Sequence, residues 1–341
     1  MLRAGIIGTG RIGSSLEKDP LRPPGSSHAG SYALSKEVEL VSGCDIDPAA
    51  LATFGDDWKI ESDHLYSNFY DMLRSERLDI VSVCAYATER LEMAQAALEA
   101  GAKGLWLEKS LGCSLQEADA IARLLHQRQA VGVVDYPRRG RAPYRKIKSL
   151  IDQGDFGRLQ SVTCHMTHQL IHTGTHAFDV IRYWCGEALQ ARGVLENAAG
   201  QSKEIVDQGG SGEFAMSSGT QVFVSAYRKK YYIFQFDLIF DDARILIGND
   251  IAKVYRPAPS TNYSGFKELF EQPSFDWGPS YGRDMVGELV HCAKTGEEPL
   301  FSMRNATEAL RMALALFASA REGGVAIDPR TLEPDFRIEN H

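Results

Sequence analysis

The most specific chemical spacing in the chain is at its N-terminus, in Gly8-Thr9-Gly10-Arg11-Ile12-Gly13. These residues follow an apolar run, Arg3–Ile7, that reads as a strand, and they precede what reads as a helix start. In such a turn the first glycine permits a tight reversal and the second lets the backbone approach a pyrophosphate. The third lets helix and strand pack closely. The N–H groups at the helix start then offer partial positive charge to phosphate. The implied chemistry is dinucleotide binding. The acidic partner expected at the end of the second strand is Asp45, followed by Ile46. Its carboxylate can accept hydrogen bonds from both ribose hydroxyls of NAD, and it repels the 2′-phosphate of NADP. No arginine follows to offset that repulsion. NAD is therefore expected ahead of NADP. The alternative for Asp45-Ile46-Asp47-Pro48 is a plain strand-to-helix cap.

A second concentration of chemistry is His165, His168, His172 and His176. His172 and His176, at i and i+4, could face one ion on a helix. There is no HExxH motif, and Cys164 points to the opposite strand face from His165. Gly174 also weakens a regular helix there. No metal is expected. His165 and His168 have opposite parity on a strand, so at most one of them faces a ligand cleft; His168 and Gln169 are the expected substrate contacts. Histidine suits a general base because its pKa lies near neutrality. Arg138 and Arg139 follow the last strand of the N-terminal pattern. Either one contacts an acidic substrate or the cofactor, or both form hinge salt bridges.

These residues need elements to position them. Arg3–Ile7, Glu39–Asp45, Ile80–Ala85, Gly104–Glu108 and Ala130–Asp135 read as strands. Tyr66–Ser75, Glu89–Ala100 and Leu115–Arg128 read as helices, the last with Ser114 as N-cap and Glu117 as its capping-box partner. Strands alternating with helices predict a doubly wound parallel sheet, with ligands beyond the strand carboxyl ends. Asp45 lies 32 residues after Gly13, against about 20 in the usual fingerprint. The excess maps to Glu17–Ser27, which holds Pro20, Pro23, Pro24 and Gly25 and cannot continue a helix. It reads as a loop inserted after the first helical turn, either near the substrate mouth or as an inert surface excursion.

From about Tyr136–Arg141 the pattern changes. After a short helix at Arg145–Gln153 come Leu159–His168, Ala191–Glu196, Gly212–Tyr227, Tyr232–Gly248 and Ile251–Tyr255, rich in β-branched and aromatic residues. They predict an antiparallel meander. Two helices, about Ser280–Thr295 and Asn305–Glu322, close the chain. The expectation is α/β throughout, with a Rossmann domain over 1–136 and a second α/β domain with an open, mostly antiparallel sheet over 137–341.

A chain of 341 residues favours two domains. The net charge is −8 and no basic tract exceeds the patch at Arg138, Arg139 and Arg141, so no nucleic-acid partner is expected. No apolar run approaches ~18 residues, which argues against a membrane span. Ala4–Ile7 is too short for a signal-peptide core. Six cysteines without a CxxC pair fit a reducing cytoplasm.

Taken together, these motifs resemble the Gfo/Idh/MocA oxidoreductases. The resemblance is carried by GTGRIG at 8–13, CDID at 44–47, DIVSVCAYATERLEMAQAALEAG at 79–101, LEKSL at 107–111 and GTHAFDVIRYWCG at 174–186. It implies hydride transfer between nicotinamide and a secondary alcohol or carbonyl of a sugar, polyol or cyclitol, and so a carbohydrate-like small molecule as substrate. It implies a homodimer or homotetramer assembled through the second sheet. Glu108-Lys109-Ser110 corresponds to the family's Glu-Lys-Pro motif, with serine for proline, and implies an active-site lysine at 109. His176 corresponds to the family's active-site histidine, and His172 stands where relatives carry aspartate. The implied roles are His176 as base, Lys109 as stabiliser of alkoxide charge, and His172 as relay or substrate contact. Ala85-Tyr86, Arg90, Glu108 and Lys109 are implied to line the cofactor, and Lys109, Arg138, His168, Gln169, His172 and His176 the substrate. Some relatives instead cleave glycosidic bonds through transient oxidation and elimination, and others are non-catalytic cofactor sensors.

Overall fold

The computed structural model describes residues 1–197, 206–278 and 284–340. They form two compact units. The first holds residues 1–137, the described part of 283–307 and Asn340. The second holds the rest, from Arg138.

In the first unit, β1 (Leu2–Ile7), β2 (Val38–Cys44), β3 (Leu65–Tyr66), β4 (Ile80–Val83), β5 (Gly104–Leu107) and β6 (Val131–Val134) form a parallel sheet in the order β3-β2-β1-β4-β5-β6. The chain starts at the centre, builds outward to β3, then returns to the other side of β1. That reversal puts a topological switch point beside β1, where ligands bind beyond the strand ends. β4 and β5 are buried along their whole length, as a parallel sheet covered on both faces requires. β3 has only two residues, too few to show a period.

The helices are α1 (His28–Leu34), α2 (Pro48–Trp58), α3 (Phe69–Ser75), α4 (Arg90–Glu99) and α5 (Leu115–Gln127). Ser114 caps α5 by accepting the Glu117 N–H at 3.3 Å, while the Glu117 carboxylate accepts from Cys113 N–H at 2.7 Å. The reciprocal bond of a capping box is thus shifted one residue upstream. Asp47 caps α2 by accepting the Ala49 N–H at 2.9 Å.

The glycine turn does not run directly into an α-helix. Ser14 N–H donates to Gly10 O at 3.0 Å, forming one turn, and a 3-10 helix follows over Ser15–Lys18. In an unbroken helix the carbonyls of Ile12 and Gly13 would accept from residues 16 and 17. They accept instead from His28 and Ala29, each at 3.0 Å. Twelve residues are looped out of a helix whose hydrogen-bond ladder closes across the gap, and this accounts for the long spacing from Gly13 to Asp45. The Glu17 carboxylate staples the loop, accepting from the N–H groups of Gly25 (2.7 Å) and Ser27 (3.1 Å) and from the Ser27 hydroxyl (3.0 Å). The Ser27 hydroxyl in turn caps α1 at the Gly30 N–H.

The second unit begins with α6 (Ala142–Gln153), β7 (Leu159–Met166) and α7 (Gly174–Cys185). It continues with β8 (Ala188–Leu195), β9 (Gly210–Met216), β10 (Gln221–Ser225), β11 (Phe234–Phe240), β12 (Arg244–Gly248), β13 (Ala252–Pro259) and β14 (Lys267–Glu271). The sheet order is β14-β13-β12-β11-β7-β10-β9-β8. All pairs are antiparallel except β7 with β10. The expected meander is broken there because α7 carries the chain from β7 at the centre to β8 at the edge. β11 alternates buried and half-buried residues, so one face is core. Trp184 and Tyr144 stack at 5.7 Å over it, and Trp184 meets Phe236 edge-on. The other face carries Phe223, Val194 and the Arg192–Glu213 ion pair, all at least 44% exposed. β7 ends at Met166, so His168 lies beyond the strand and the parity argument for it does not apply.

The chain then returns to the first unit with α8 (Met285–Thr295), capped by Asp284 on the Gly287 N–H. The expected start of this helix at Ser280 lies outside the described residues. Met285, Val286, Leu289 and Val290 share one core with Ala4, Ile6, Tyr32, Trp106 and Val133. The last helix, α9, spans Met303–Arg321. Among the described residues no helix is long and apolar enough to cross a membrane.

Candidate active site

The first unit gathers its chemistry along one edge of its sheet. The glycine turn follows β1, Asp45 follows β2, Ala85 and Tyr86 follow β4, and Glu108 and Lys109 follow β5. Gly8 has φ +91°, and a Cβ there would sit 3.0 Å from the Cys84 carbonyl carbon. A Cβ on Gly13 would sit 2.0 Å from Gly8 O, whereas nothing lies within 4 Å of a Cβ on Gly10. Turn, open approach and tight packing therefore fall on the three glycines in the order a pyrophosphate cradle needs. The N–H groups of Arg11, Ile12 and Gly13 have no partner among the described residues. The residues present fit a dinucleotide.

Asp45 does two jobs. One carboxylate oxygen accepts from the Thr9 N–H at 2.7 Å and the Thr9 hydroxyl at 3.2 Å, and the other from the Asp47 N–H at 2.9 Å. It buttresses the glycine turn while staying half-exposed. Its remaining lone pairs can still accept from a ribose diol. The cap and cofactor readings of this segment are thus compatible, with Asp47 supplying the cap.

Beneath this edge lies a buried polar chain that sequence reasoning missed. The His28 imidazole, 1% exposed, stacks on Trp106 at 3.7 Å. Its Nδ1 is 2.9 Å from Ser82 Oγ, its Nε2 is 3.3 Å from Glu108 Oε1, and Tyr32 Oη is 2.7 Å from Ser82 Oγ. Burial pushes His28 below its usual 6.5, outweighing the pull of Glu108. A neutral imidazole satisfies every partner: Tyr32 donates to Ser82, Ser82 to Nδ1, and Nε2–H to Glu108. Burial alone would raise the Glu108 carboxyl. The His28 hydrogen bond and the nearby positive charges of Lys109 and Arg90 reverse that and hold it at about 2. His28, Glu108 and Asp135 also present ligand atoms within 4.8 Å of one another, but Lys109 and Arg90 already face the Glu108 carboxylate. The twelve-residue loop is what hid His28, because it moves the residue away from the turn it belongs to.

Arg90 departs from expectation. It is 1% exposed, and its guanidinium donates to the backbone carbonyls of Ala85 (2.7 Å) and Ser110. It is too deep to line a cofactor and instead ties together the segments after β4 and β5. The Lys109–Ser110 peptide is cis. The Ser110 hydroxyl donates to Gly112 O at 3.1 Å and lies 2.5 Å from the Asn340 side-chain oxygen. Asn340, 2% exposed, therefore pins the residue that replaces the family proline. A contact 230 positions away leaves no local signal in sequence.

In the second unit, Gln169 (φ +82°) opens a turn that accepts Thr173 and Gly174 N–H groups on its carbonyl and leads into α7. His172 lies in that turn and His176 in the first turn of α7, both half-buried. The acid near His172 comes from elsewhere in the chain: Asp207 accepts from the backbone N–H groups of Ile171 (2.9 Å) and His172 (2.7 Å). His168 Nε2 lies 3.5 Å from Glu196. The two adjacent arginines have opposite fates. Arg139 forks onto Asp179 at 2.9 and 2.6 Å. The Arg138 guanidinium lies 3.8 Å over the Phe234 ring.

Strand order, glycine cradle and the acid after β2 define a Rossmann-type dinucleotide-binding unit. Residues 2–136 match the family model GFO_IDH_MocA, described as "Oxidoreductase family, NAD-binding Rossmann fold". Over 153 residues the chain is 27% identical to the uncharacterized oxidoreductase YrbE of Bacillus subtilis (strain 168), covering 45% of this chain and 40% of that protein. Over 206 residues it is 26% identical to inositol 2-dehydrogenase 3 of Saccharopolyspora erythraea, covering 57% and 56%. The chain spans about half the length of the curated relatives it matches. Its fold follows that of the WlbA dehydrogenase of Bordetella pertussis, solved with NADH and UDP-GlcNAcA, over 96% of this chain and 98% of that one, with a TM-score of 0.74 and 18% identity.

Proposed function

We propose that this protein is an NAD-dependent dehydrogenase acting on a secondary alcohol or carbonyl of a sugar, polyol or cyclitol derivative. The observation that carries this reading is the open glycine cradle with Glu108-Lys109 on the same sheet edge. The relative named inositol 2-dehydrogenase 3 supports the substrate class. NAD, when bound, accepts or returns the hydride. Lys109 hydrogen-bonds the reacting oxygen and stabilises alkoxide charge. His176 takes the hydroxyl proton, and His172 shares or relays it. Asp45 selects NAD over NADP by charge. All six cysteines are free, which supports a reducing compartment such as the cytoplasm. The open face of the second sheet supports assembly as a homodimer or homotetramer.

A screen of NAD and NADP reduction across sugars, sugar acids and inositols tests this reading. Lys109→Ala and His176→Ala are each expected to lower kcat by about 10²–10⁴-fold. Asp45→Ser is expected to narrow the preference for NAD by about ten-fold. Full activity in both the lysine and histidine variants overturns the assignment of the reacting groups, and a native preference for NADP overturns the role of Asp45.

A further inference from the structure

The second unit contains a partly buried cation that no anion meets among the described residues. Arg138 Nε is shielded from solvent and has no hydrogen-bond partner. Among the described residues no carboxylate pairs with Arg138. The groups that act on its charge are the Tyr144 and Tyr232 hydroxyls, the Cys164 thiol and a second cation, Arg141. Burial pushes the Tyr144 hydroxyl and the Cys164 thiol up, so neither is an anion near neutral pH. The Tyr144 hydroxyl is buried beside the Arg138 guanidinium, close enough for a side-chain hydrogen bond to it.

A third cation, Lys229, lies in the segment between β10 and β11 and reaches the end of β7. Phe234, on which Arg138 stacks, pairs across β11 and β7 with Met166. Lys229 Nζ donates to the Met166 carbonyl at 3.2 Å and to the Tyr227 carbonyl at 2.8 Å. Among the described residues no carboxylate pairs with Lys229 either. His168, Gln169 and the turn into α7 follow directly from this end of β7.

Unneutralised charge of one sign, partly withdrawn from water, is unfavourable unless something supplies the opposite sign. The neighbouring Arg139 shows what a structural arginine looks like here, with a carboxylate fork closed onto Asp179. Stacking on Phe234 occupies only the face of the Arg138 guanidinium. Its N–H donors radiate in the plane of the group, in the geometry that matches a carboxylate.

We infer that Arg138, with Lys229 and the Tyr144 hydroxyl, forms a recognition site for a carboxylate carried by the substrate, so that the protein takes a polyhydroxy acid rather than a neutral polyol. This rests on the proposed dehydrogenase reading for the redox step, but the anion site itself does not depend on turnover.

Calorimetry on the full chain with saturating NADH tests it, using D-glucuronate and D-gluconate against D-glucose and D-glucitol, with D-glucose 6-phosphate as the phosphate arm. The acids are expected to bind at least about ten-fold more tightly than their neutral counterparts. In Arg138→Met that ratio collapses to within about two-fold, and Arg138→Lys restores part of it. Lys229→Gln, a milder change, lowers the ratio without abolishing it, which keeps the test readable if Arg138→Met folds poorly. Equal binding of acids and neutral compounds by the native protein, or an undiminished ratio in Arg138→Met, overturns the inference. A ten-fold preference for the phosphate ester over both acids overturns the carboxylate assignment. NADH formation in parallel samples that carry NAD in place of NADH separates the two readings. Acid-selective binding with no oxidation of any compound keeps the anion site and sinks the dehydrogenase. Turnover of neutral polyols without acid selectivity does the reverse.

Discussion

His28 and Glu108 are linked by a hydrogen bond inside the first unit, and both lose stabilising power on the acid side. The folded His28 titrates below 6.5, so the unfolded chain takes up a proton first as pH falls through that value. Proton uptake by the unfolded state draws the equilibrium toward unfolding. The folded Glu108 carboxyl sits at about 2 against an ordinary 4.5. Its contribution is present above 4.5 and is lost as pH falls from there toward 2. The urea midpoint of the native protein is therefore expected to drop in two stages, one beginning below about 6.5 and one below about 4.5. His28→Gln, which keeps an amide donor toward Glu108, removes the first stage. Glu108→Gln removes the second. A midpoint that stays flat between pH 7 and 5 contradicts the neutral, buried imidazole. At this same scale the glycine turn and Asp45 were readable in sequence because each sits at a strand end, whereas Lys109 entered through the family resemblance of Glu108-Lys109-Ser110. Arg90 misled because its type suits a cofactor contact, while its depth sends it to two backbone carbonyls.

At the scale of elements, the split helix after the glycine turn is the most instructive feature. Its ladder closes from Ile12 and Gly13 to His28 and Ala29, so the looped segment is an addition to a helix that is already complete. Excising residues 16–27 should join Ser15 to His28 in register. The shortened protein is expected to keep its helix content and to bind NADH within about three-fold of the native chain, since the bonds from Ser14 to Gly10 and from His28 and Ala29 to Ile12 and Gly13 are kept. Its Tm is expected to shift by less than about 5 °C. Circular dichroism, thermal melting and NADH fluorescence read these outcomes, and loss of NADH binding with the fold intact would assign the loop to the cofactor site. The loop itself was legible from its prolines and from the spacing to Asp45. What no window of sequence contained was the re-entry point. That is fixed by which backbone carbonyls remain unsatisfied after the first turn.

For the whole molecule, the open face of the second sheet sets the next expectation. Phe223 and Val194 are 44% and 59% exposed beside the Arg192–Glu213 pair. An apolar patch rimmed by charge on a flat sheet marks an interaction surface. Light scattering is expected to give a dimer or tetramer, and the double variant Val194→Asp, Phe223→Arg is expected to shift it toward monomer at micromolar concentration. A monomeric native protein at that concentration refutes assembly through this face. Chemistry at the same scale separates a dehydrogenase from an eliminating glycosidase. The first accumulates NADH in proportion to product, whereas the second returns NAD unchanged and exchanges a substrate C–H proton with solvent.

The chain's own order of residues determined the parallel sheet, the glycine turn, the strand-end acid, and the caps of α2 and α5. Those are local: each follows from the side chains within a few positions and the period at which they recur. Tertiary structure decided which of two adjacent arginines is spent and which is unpaired, because the deciding partner, Asp179, stands forty residues away. It also decided that α8 completes the first core, that Asn340 holds Ser110, and that Asp207 supplies the acid beside His172. In each case the choice belongs to a packed environment assembled from distant segments. There, burial and unmet hydrogen bonds, rather than spacing along the chain, select the partner.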